Sequence, residues 1–183
     1  AYELLSFVHK KSPQSMNYDV YFDLINKLAN IEDSKGNSTE AELYRKRAKY
    51  YKTFVKNNLL YDKDLFVSVN KIDVNTDIAA QEYIVNVQFT LQNNSGLDIE
   101  NLSIKAVFKD GNKVFQTLTQ KIFDETRVFE AGTVTPPISI SASESYNGTN
   151  KKDNLSVDIY AYKYPKYQVK LFSDSVKKPE VIE

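Results

Sequence analysis

Apolar side chains recur at two different intervals along this chain, and the change of interval divides it. Up to about residue 58 they return every three or four positions. Val20, Tyr21, Leu24, Ile25, Leu28 and Ile31 form one series; Ala41, Tyr44, Ala48, Tyr51 and Val55 form another, widened by Leu43, Tyr50 and Phe54. That spacing gives each helix one buried face. From Leu65 onward the interval is two, the pleat of a half-buried strand.

Residues 1–11 predict a short helix. Ser12-Pro13 reads as an N-cap followed by proline at the first helical position, so a longer helix is expected over 14–32, stopped by Lys35-Gly36. Thr39-Glu40-Ala41-Glu42 has the form of a capping box and predicts a second long helix ending at Asn57-Asn58. The short connection makes the pair antiparallel.

Leu65 to Val74 predicts the first strand. Its apolar phase shifts between Val69 and Ile72, which implies a bulge. Val85, Val87, Phe89 and Leu91 alternate with polar residues until Asn93-Asn94-Ser95-Gly96. Leu102, Ile104, Ala106 and Phe108 alternate until the hairpin signal Asp110-Gly111-Asn112, and a further strand covers 113–121. These three strands read as a continuous meander. Arg127-Val128-Phe129 suggests a short strand. Thr135-Pro136-Pro137 marks a sheet edge or a change of sheet, because proline donates no ladder hydrogen bond. Ile138, Ile140 and Ala142 give another strand, residues 145–153 a polar loop, and Leu155, Val157, Ile159 and Ala161 the next strand. Tyr164-Pro165-Lys166 turns the chain into a last strand with Tyr167, Val169 and Leu171. The expectation is an α+β chain: a helical segment over 1–61, a seven-stranded antiparallel immunoglobulin-like β-sandwich over 62–173, and a flexible tail over 174–183. An open barrel is the second architecture.

Composition narrows the chemistry. Lys plus Arg and Asp plus Glu both number 24, so no global charge recruits nucleic acid or an anionic membrane. No apolar run reaches the roughly 18 residues of a spanning helix. Cysteine is absent, which removes disulfides and thiolate chemistry. His9 is the sole histidine and reads as a surface or helix-terminal residue, since no second imidazole can share a metal. The five glycines fall in turns and form no phosphate cradle. Asp62-x-Asp64 and Asp73 with Asp77 read as solvated loop acids rather than cation ligands. Five Asn-x-Ser/Thr sequons, at Asn37, Asn93, Asn101, Asn147 and Asn154, are discounted because the Asn-, Lys- and Tyr-rich composition suits a bacterial chain. No catalytic residue, metal or cofactor is expected.

Two surfaces remain as candidates. Tyr160, Tyr162 and Tyr164 share the strand face opposite Ile159 and Ala161, with Tyr167 across the turn; an outward row of tyrosines can anchor a protein or stack on a sugar, and the alternative is that the helical hairpin covers them or that they form cross-strand pairs. Arg45, Lys46, Lys49 and Lys52 make the second long helix basic after Glu40 and Glu42, an order that complements the helix dipole and reads first as a solvated face.

Residues 83–120, with Asn-Asn-Ser-Gly, Ile99-Glu100-Asn101-Leu102, Phe108-Lys109-Asp110 and Gly111-Asn112-Lys113-Val114, resemble the FxLYD-type and related immunoglobulin-like domains of bacterial extracytoplasmic lipoproteins. Lys109 stands where the naming motif has tyrosine. The resemblance implies an exported envelope module without a catalytic site. The expected role is contact with a protein partner in the envelope, in the periplasm or at the cell surface; the alternative is a carbohydrate- or small-ligand-binding domain using the tyrosines. The chain begins at Ala1, which fits a processed or truncated start; a lipid-modified cysteine would lie upstream.

Overall fold

The computed structural model describes residues 2–13, 16–145 and 154–175. The polar loop expected at 145–153 and the tail expected at 174–183 fall almost wholly outside them. The chain forms two compact units that divide after Leu59.

The first unit holds α1 (Tyr2–Lys11), α2 (Tyr18–Ser34) and α3 (Ser38–Asn58). Both long helices start elsewhere than their sequence signals indicate. Asn17, not Ser12, caps α2: its side-chain oxygen accepts from the Val20 N–H at 3.2 Å, and four residues separate Pro13 from the helix proper. The capping box at Thr39 does not form, because Asn37 is the N-cap of α3 and Thr39 lies inside the helix. Asn37 instead donates to Glu32 Oε2 at 2.7 Å, which ties the end of α2 to the start of α3. Gly36, at φ 81°, makes the reversal that a side chain would resist. Tyr21 meets Tyr51 edge-on at 5.0 Å and Arg45 reaches Asp33, so early α2 faces late α3 and the helices run antiparallel. Tyr18, Tyr21, Ile25 and Ala29 are buried against Ala41 and Ala48. Val20, Ile31, Leu43 and Tyr50 belong to the expected stripes but stand at their margins and are exposed.

The second unit contains seven antiparallel strands in two sheets, a sandwich rather than a closed sheet. They are β1 (Leu65–Asp77), β2 (Glu82–Asn93), β3 (Ser103–Asp110), β4 (Lys113–Lys121), β5 (Ile138–Ser145), β6 (Leu155–Tyr162) and β7 (Val169–Ser175). One sheet has the order β1-β2-β5, the other β4-β3-β6-β7. The bulge implied by the phase shift sits in β1 between Val69 and Lys71. The expected meander is corrected: β3 and β4 form the hairpin, but β2 belongs to the opposite sheet. The expected strand at 127–129 is a single bridge from Phe129 to Ile99. The diproline does mark a change of sheet, since the chain leaves β4 and enters β5 through it.

Alternate residues of β2 are buried from Tyr83 to Asn93. With the inward rows of β3, β5 and β6 they form one continuous core. Each fully buried Leu, Ile or Phe contributes roughly 1.5–3 kcal/mol relative to exposure. The end of the sandwich where the chain crosses between sheets is held by Asn93, which is fully buried. Its side-chain amide donates to the carbonyls of Leu97 and Phe129, both at 2.8 Å, and its Oδ1 accepts from the Ser95 N–H at 3.0 Å. Its backbone bonds Thr133 and Gly132.

Asn93→Asp is expected to lower unfolding free energy by about 2–4 kcal/mol, because a carboxylate cannot donate to two buried carbonyls. Asn93→Leu should cost a similar amount. Denaturant midpoints with unchanged slopes check this, and a loss below about 0.5 kcal/mol contradicts the role given to Asn93.

Candidate functional site

Polar chemistry gathers on the outer face of the four-stranded sheet. The alternation that turns Ile104, Ala106 and Phe108 inward turns Lys105 and Lys109 outward on β3. On β6 the same alternation turns Asp158, Tyr160 and Tyr162 outward. Register places Lys105 and Lys170 on either side of Tyr160, and Ser173 opposite Asp158.

Asp158 is nevertheless only 4% exposed. Lys109 bonds its Oδ2, Lys170 Nζ lies 3.0 Å from Oδ1, and the Ser173 hydroxyl donates to Oδ1 at 2.5 Å. Burial by itself raises the carboxyl pKa; the bonds from Lys109, Ser173 and Lys170 outweigh it and hold the group well below the usual carboxylate range. The bond to Asp158 in turn raises the pKa of Lys109. A carboxylate so held keeps its charge at neutral pH and is a poor proton acceptor. It acts as a clasp joining β3, β6 and β7.

The expected row of four outward tyrosines is corrected. Tyr162 is buried at 8% exposure. Tyr160 is half-buried, with the ammonium groups of Lys105 and Lys170 at 5.5 and 5.8 Å from its ring centroid. Tyr164 lies beyond the strand end, in the turn before β7, and is 50% exposed. Its ring sits 6.0 Å from that of half-buried Tyr167, at 41°, and Lys166 lies 5.6 Å from the Tyr167 ring. The turn is fixed by Tyr167 N–H to Tyr164 C=O at 2.9 Å and by Gln168, which donates to Pro165 C=O at 2.7 Å and accepts from Lys105 at 3.3 Å. What the structure shows is two aromatic–cation sets, Tyr160 with Lys105 and Lys170, and Tyr164 and Tyr167 with Lys166, linked by the Lys105–Gln168 bond, not a flat tyrosine ladder.

The basic face of α3 is largely engaged within its own unit. Arg45 pairs with Asp33, Lys46 stands 3.9 Å from Glu42, and Lys52 lies 5.4 Å from the Phe22 ring, while Lys49 is exposed. His9 does end α1, but it is half-buried rather than a surface residue. Its Nδ1 lies 2.6 Å from the Tyr18 hydroxyl, and the rings of Tyr51 and Phe54 meet it edge-on at 4.5 and 4.9 Å. That burial lowers its pKa.

Three of the acids singled out by spacing have local partners, but they are not solvated loop acids: Asp64 is buried, Asp73 and Asp77 lie in β1, and Asp73 Oδ1 is buried without a hydrogen-bond partner. Asp64 accepts from the Tyr61 N–H, Asp73 pairs with Lys71, and Asp77 accepts from the Ala80 N–H. Among the described residues no group of three or more His, Cys, Asp or Glu could hold a metal ion. The sequon at Asn93 is closed to modification by its burial. The reading of residue patterns missed Asp158; the available signal was an acid on the polar face of a strand whose neighbour carries lysines four residues apart.

Fold and surface together define the class: an α+β protein whose antiparallel β-sandwich carries a clasped carboxylate and two aromatic–cation sets on one outer face. No protein-family model and no curated protein matches the chain. Bacteroides uniformis β-glucuronidase 2 bound to cyclophellitol-6-carboxylate aziridine is similar at 14% identity and TM-score 0.39, over 63% of this chain and 13% of that one. The X-ray structure of Northeast Structural Genomics Consortium target SoR45 is similar at 10% identity and TM-score 0.44, over 66% of this chain and 92% of that one. Chicken MD-1 complexed with lipid IVa is similar at 5% identity and TM-score 0.27, over 62% and 90%. Likeness at this level assigns neither activity nor ligand. No helix among the described residues is long and apolar enough to cross a membrane.

Asp158→Asn is expected to cost about 2–4 kcal/mol at pH 7. Because the folded-state pKa is depressed, the carboxylate's contribution is present above the ordinary value near 3.9 and is lost as pH falls toward the folded value. The gap between variant and parent should therefore close below about pH 4 in acid-unfolding curves; a gap independent of pH contradicts the clasp. For His9 the lowered pKa means that stability present above about pH 6.5 declines as pH falls through the folded value. The His9 ring protons should titrate with a midpoint below 6.5, and His9→Gln should flatten thermal melts of the helical signal between pH 7.5 and 5.

Proposed function

We propose that this chain is a non-enzymatic, exported module of the bacterial cell envelope that works by binding another protein, and that its sandwich is immunoglobulin-like. The strand pairings support the fold reading. β2 pairs β5, and β3, β6 and β7 are consecutive neighbours, as strands B with E and C with F and G are in immunoglobulin sandwiches. The resemblance of residues 83–120 to envelope lipoprotein domains supports the location, with any lipid anchor upstream of Ala1.

The observation that carries the contact role is the half-exposed Tyr164 beside Tyr167, Lys166 and the Lys105–Tyr160–Lys170 set. Tyrosine fixed by a bonded turn offers apolar area at little entropic cost, and the surrounding ammonium groups favour a partner surface with acidic residues. The carbohydrate alternative needs ring faces open to a sugar; the 41° tilt of the two rings and the Lys166 ammonium on Tyr167 favour a protein partner instead.

A photo-crosslinking residue in place of Tyr164, in native cells, is expected to give a discrete protein adduct in the envelope fraction. The same residue in place of Ser141, on the outer face of the other sheet, should give none. Recovery of the chain in the cytosol overturns the location. Equal labelling from both positions, or binding on a glycan array that Tyr164→Ala abolishes, overturns the protein-contact role.

A further inference from the structure

A second feature lies where the chain changes sheet. The end of β4 and the start of β5 flank a cavity of about 230 Å³; farther along the same two sheet edges Gln116 accepts the Ser143 N–H at 3.2 Å. Phe123, Pro136, Pro137 and Ile138 supply apolar lining, and Lys121 and Arg127 supply two cations. Phe123 is itself buried beneath the prolines' side of the seam, stacked on Phe129 at 4.8 Å and 3°. The Arg127 guanidinium stands 5.3 Å from the Phe123 centroid. Among the described residues no carboxylate is hydrogen-bonded to the Arg127 guanidinium, while the charge of Lys121 also acts on Asp124. The neighbouring Asp124 turns its Oδ1 into its own loop, accepting from the Thr126 hydroxyl at 2.7 Å and from the Thr126 and Arg127 N–H groups at 2.8 and 3.0 Å. That loop therefore fixes the backbone of Arg127 and leaves its fork of donors for another anion.

Size and chemistry choose the ligand. The volume is below the roughly 300–1,000 Å³ of drug-sized pockets, enough for one ring or branched side chain and a headgroup. A guanidinium matches a carboxylate with two parallel hydrogen bonds. Phosphate sites draw on runs of backbone N–H groups, and the two prolines have none. We propose that this cavity binds a small apolar monocarboxylate, with its ring or branched side chain on Pro136 and Pro137 and its carboxylate on Arg127 and Lys121. A free organic acid and the C-terminus of a peptide present the same chemistry. The cavity would take either whether or not the chain is exported.

The test is a two-dimensional NMR titration of the full chain with 3-phenylpropanoate, with 3-phenylpropanamide, and with N-acetyl-Ala-Phe as the free acid and as the C-terminal amide. Amide shifts are expected to cluster at Gln120, Arg127 and Ile138. Each acid should bind at least tenfold tighter than its amide. Arg127→Gln, at an exposed position that leaves the fold intact, should weaken the acids about tenfold, and Lys121→Gln severalfold. A peptide acid that binds tenfold tighter than 3-phenylpropanoate identifies a chain terminus as the natural source; equal affinities identify a free acid. Shifts elsewhere or none, acid and amide binding alike, or Arg127→Gln without effect would overturn the proposal.

Discussion

A chain that changes sheet must leave ladder hydrogen bonding behind and still satisfy its backbone in a place that water does not reach. In this sandwich that constraint falls on the segment between β2 and β3, and Asn93 meets it. One side-chain amide serves the carbonyls of Leu97 and Phe129, while the residue's own backbone serves the loop that precedes β5. Two crossings, β2 to β3 and β4 to β5, thereby share one polar joint. The inward rows of β2, β3, β5 and β6 can face one another only because those crossings are held at a fixed separation.

With the core so arranged, the two outer faces are free to differ. The three-stranded sheet presents neutral cross-strand pairs: Ser141 bonds Asn86 at 2.8 Å and Gln88 bonds Ser139 at 3.3 Å, each pair directly in register. On the same face β1 adds the exposed Phe66, the Lys71–Asp73 ion pair, and Asp77 opposite Glu82. The four-stranded sheet presents charge and aromatic rings, and it ties three of its strands through Asp158. A buried carboxylate with two ammonium partners is weak evidence of net stabilisation but strong evidence of a required geometry, because removal of either side leaves an uncompensated charge. The binding readings attach to the four-stranded face and to the seam beside β5.

Much of the fold was legible. The change of period at Leu65, the seven strands, the bulge in β1 and the change of sheet at Pro136-Pro137 all follow from local rules: side-chain periodicity, the missing proline N–H, a shift of phase. The errors share a cause. Ser12-Pro13 and Thr39-x-x-Glu42 carry capping signals as good as those at Asn17 and Asn37, and the choice depended on the Asn37–Glu32 bond and on which faces of α2 and α3 meet. The meander was misassigned because a turn signal such as Asn93-Asn94-Ser95-Gly96 looks the same whether the next strand pairs with the last one or lies across the core.

Periodicity and turn chemistry, which act over two to four residues, fixed where elements lie, how they alternate and which side chains point inward. The strand partners other than the β3–β4 hairpin, the burial of Tyr162 and Asp158, and the placing of Arg127 over Phe123 were decided by tertiary structure alone. Those outcomes depend on contacts between residues far apart in the chain, and a single sequence carries no signal of which distant neighbour a given face will find.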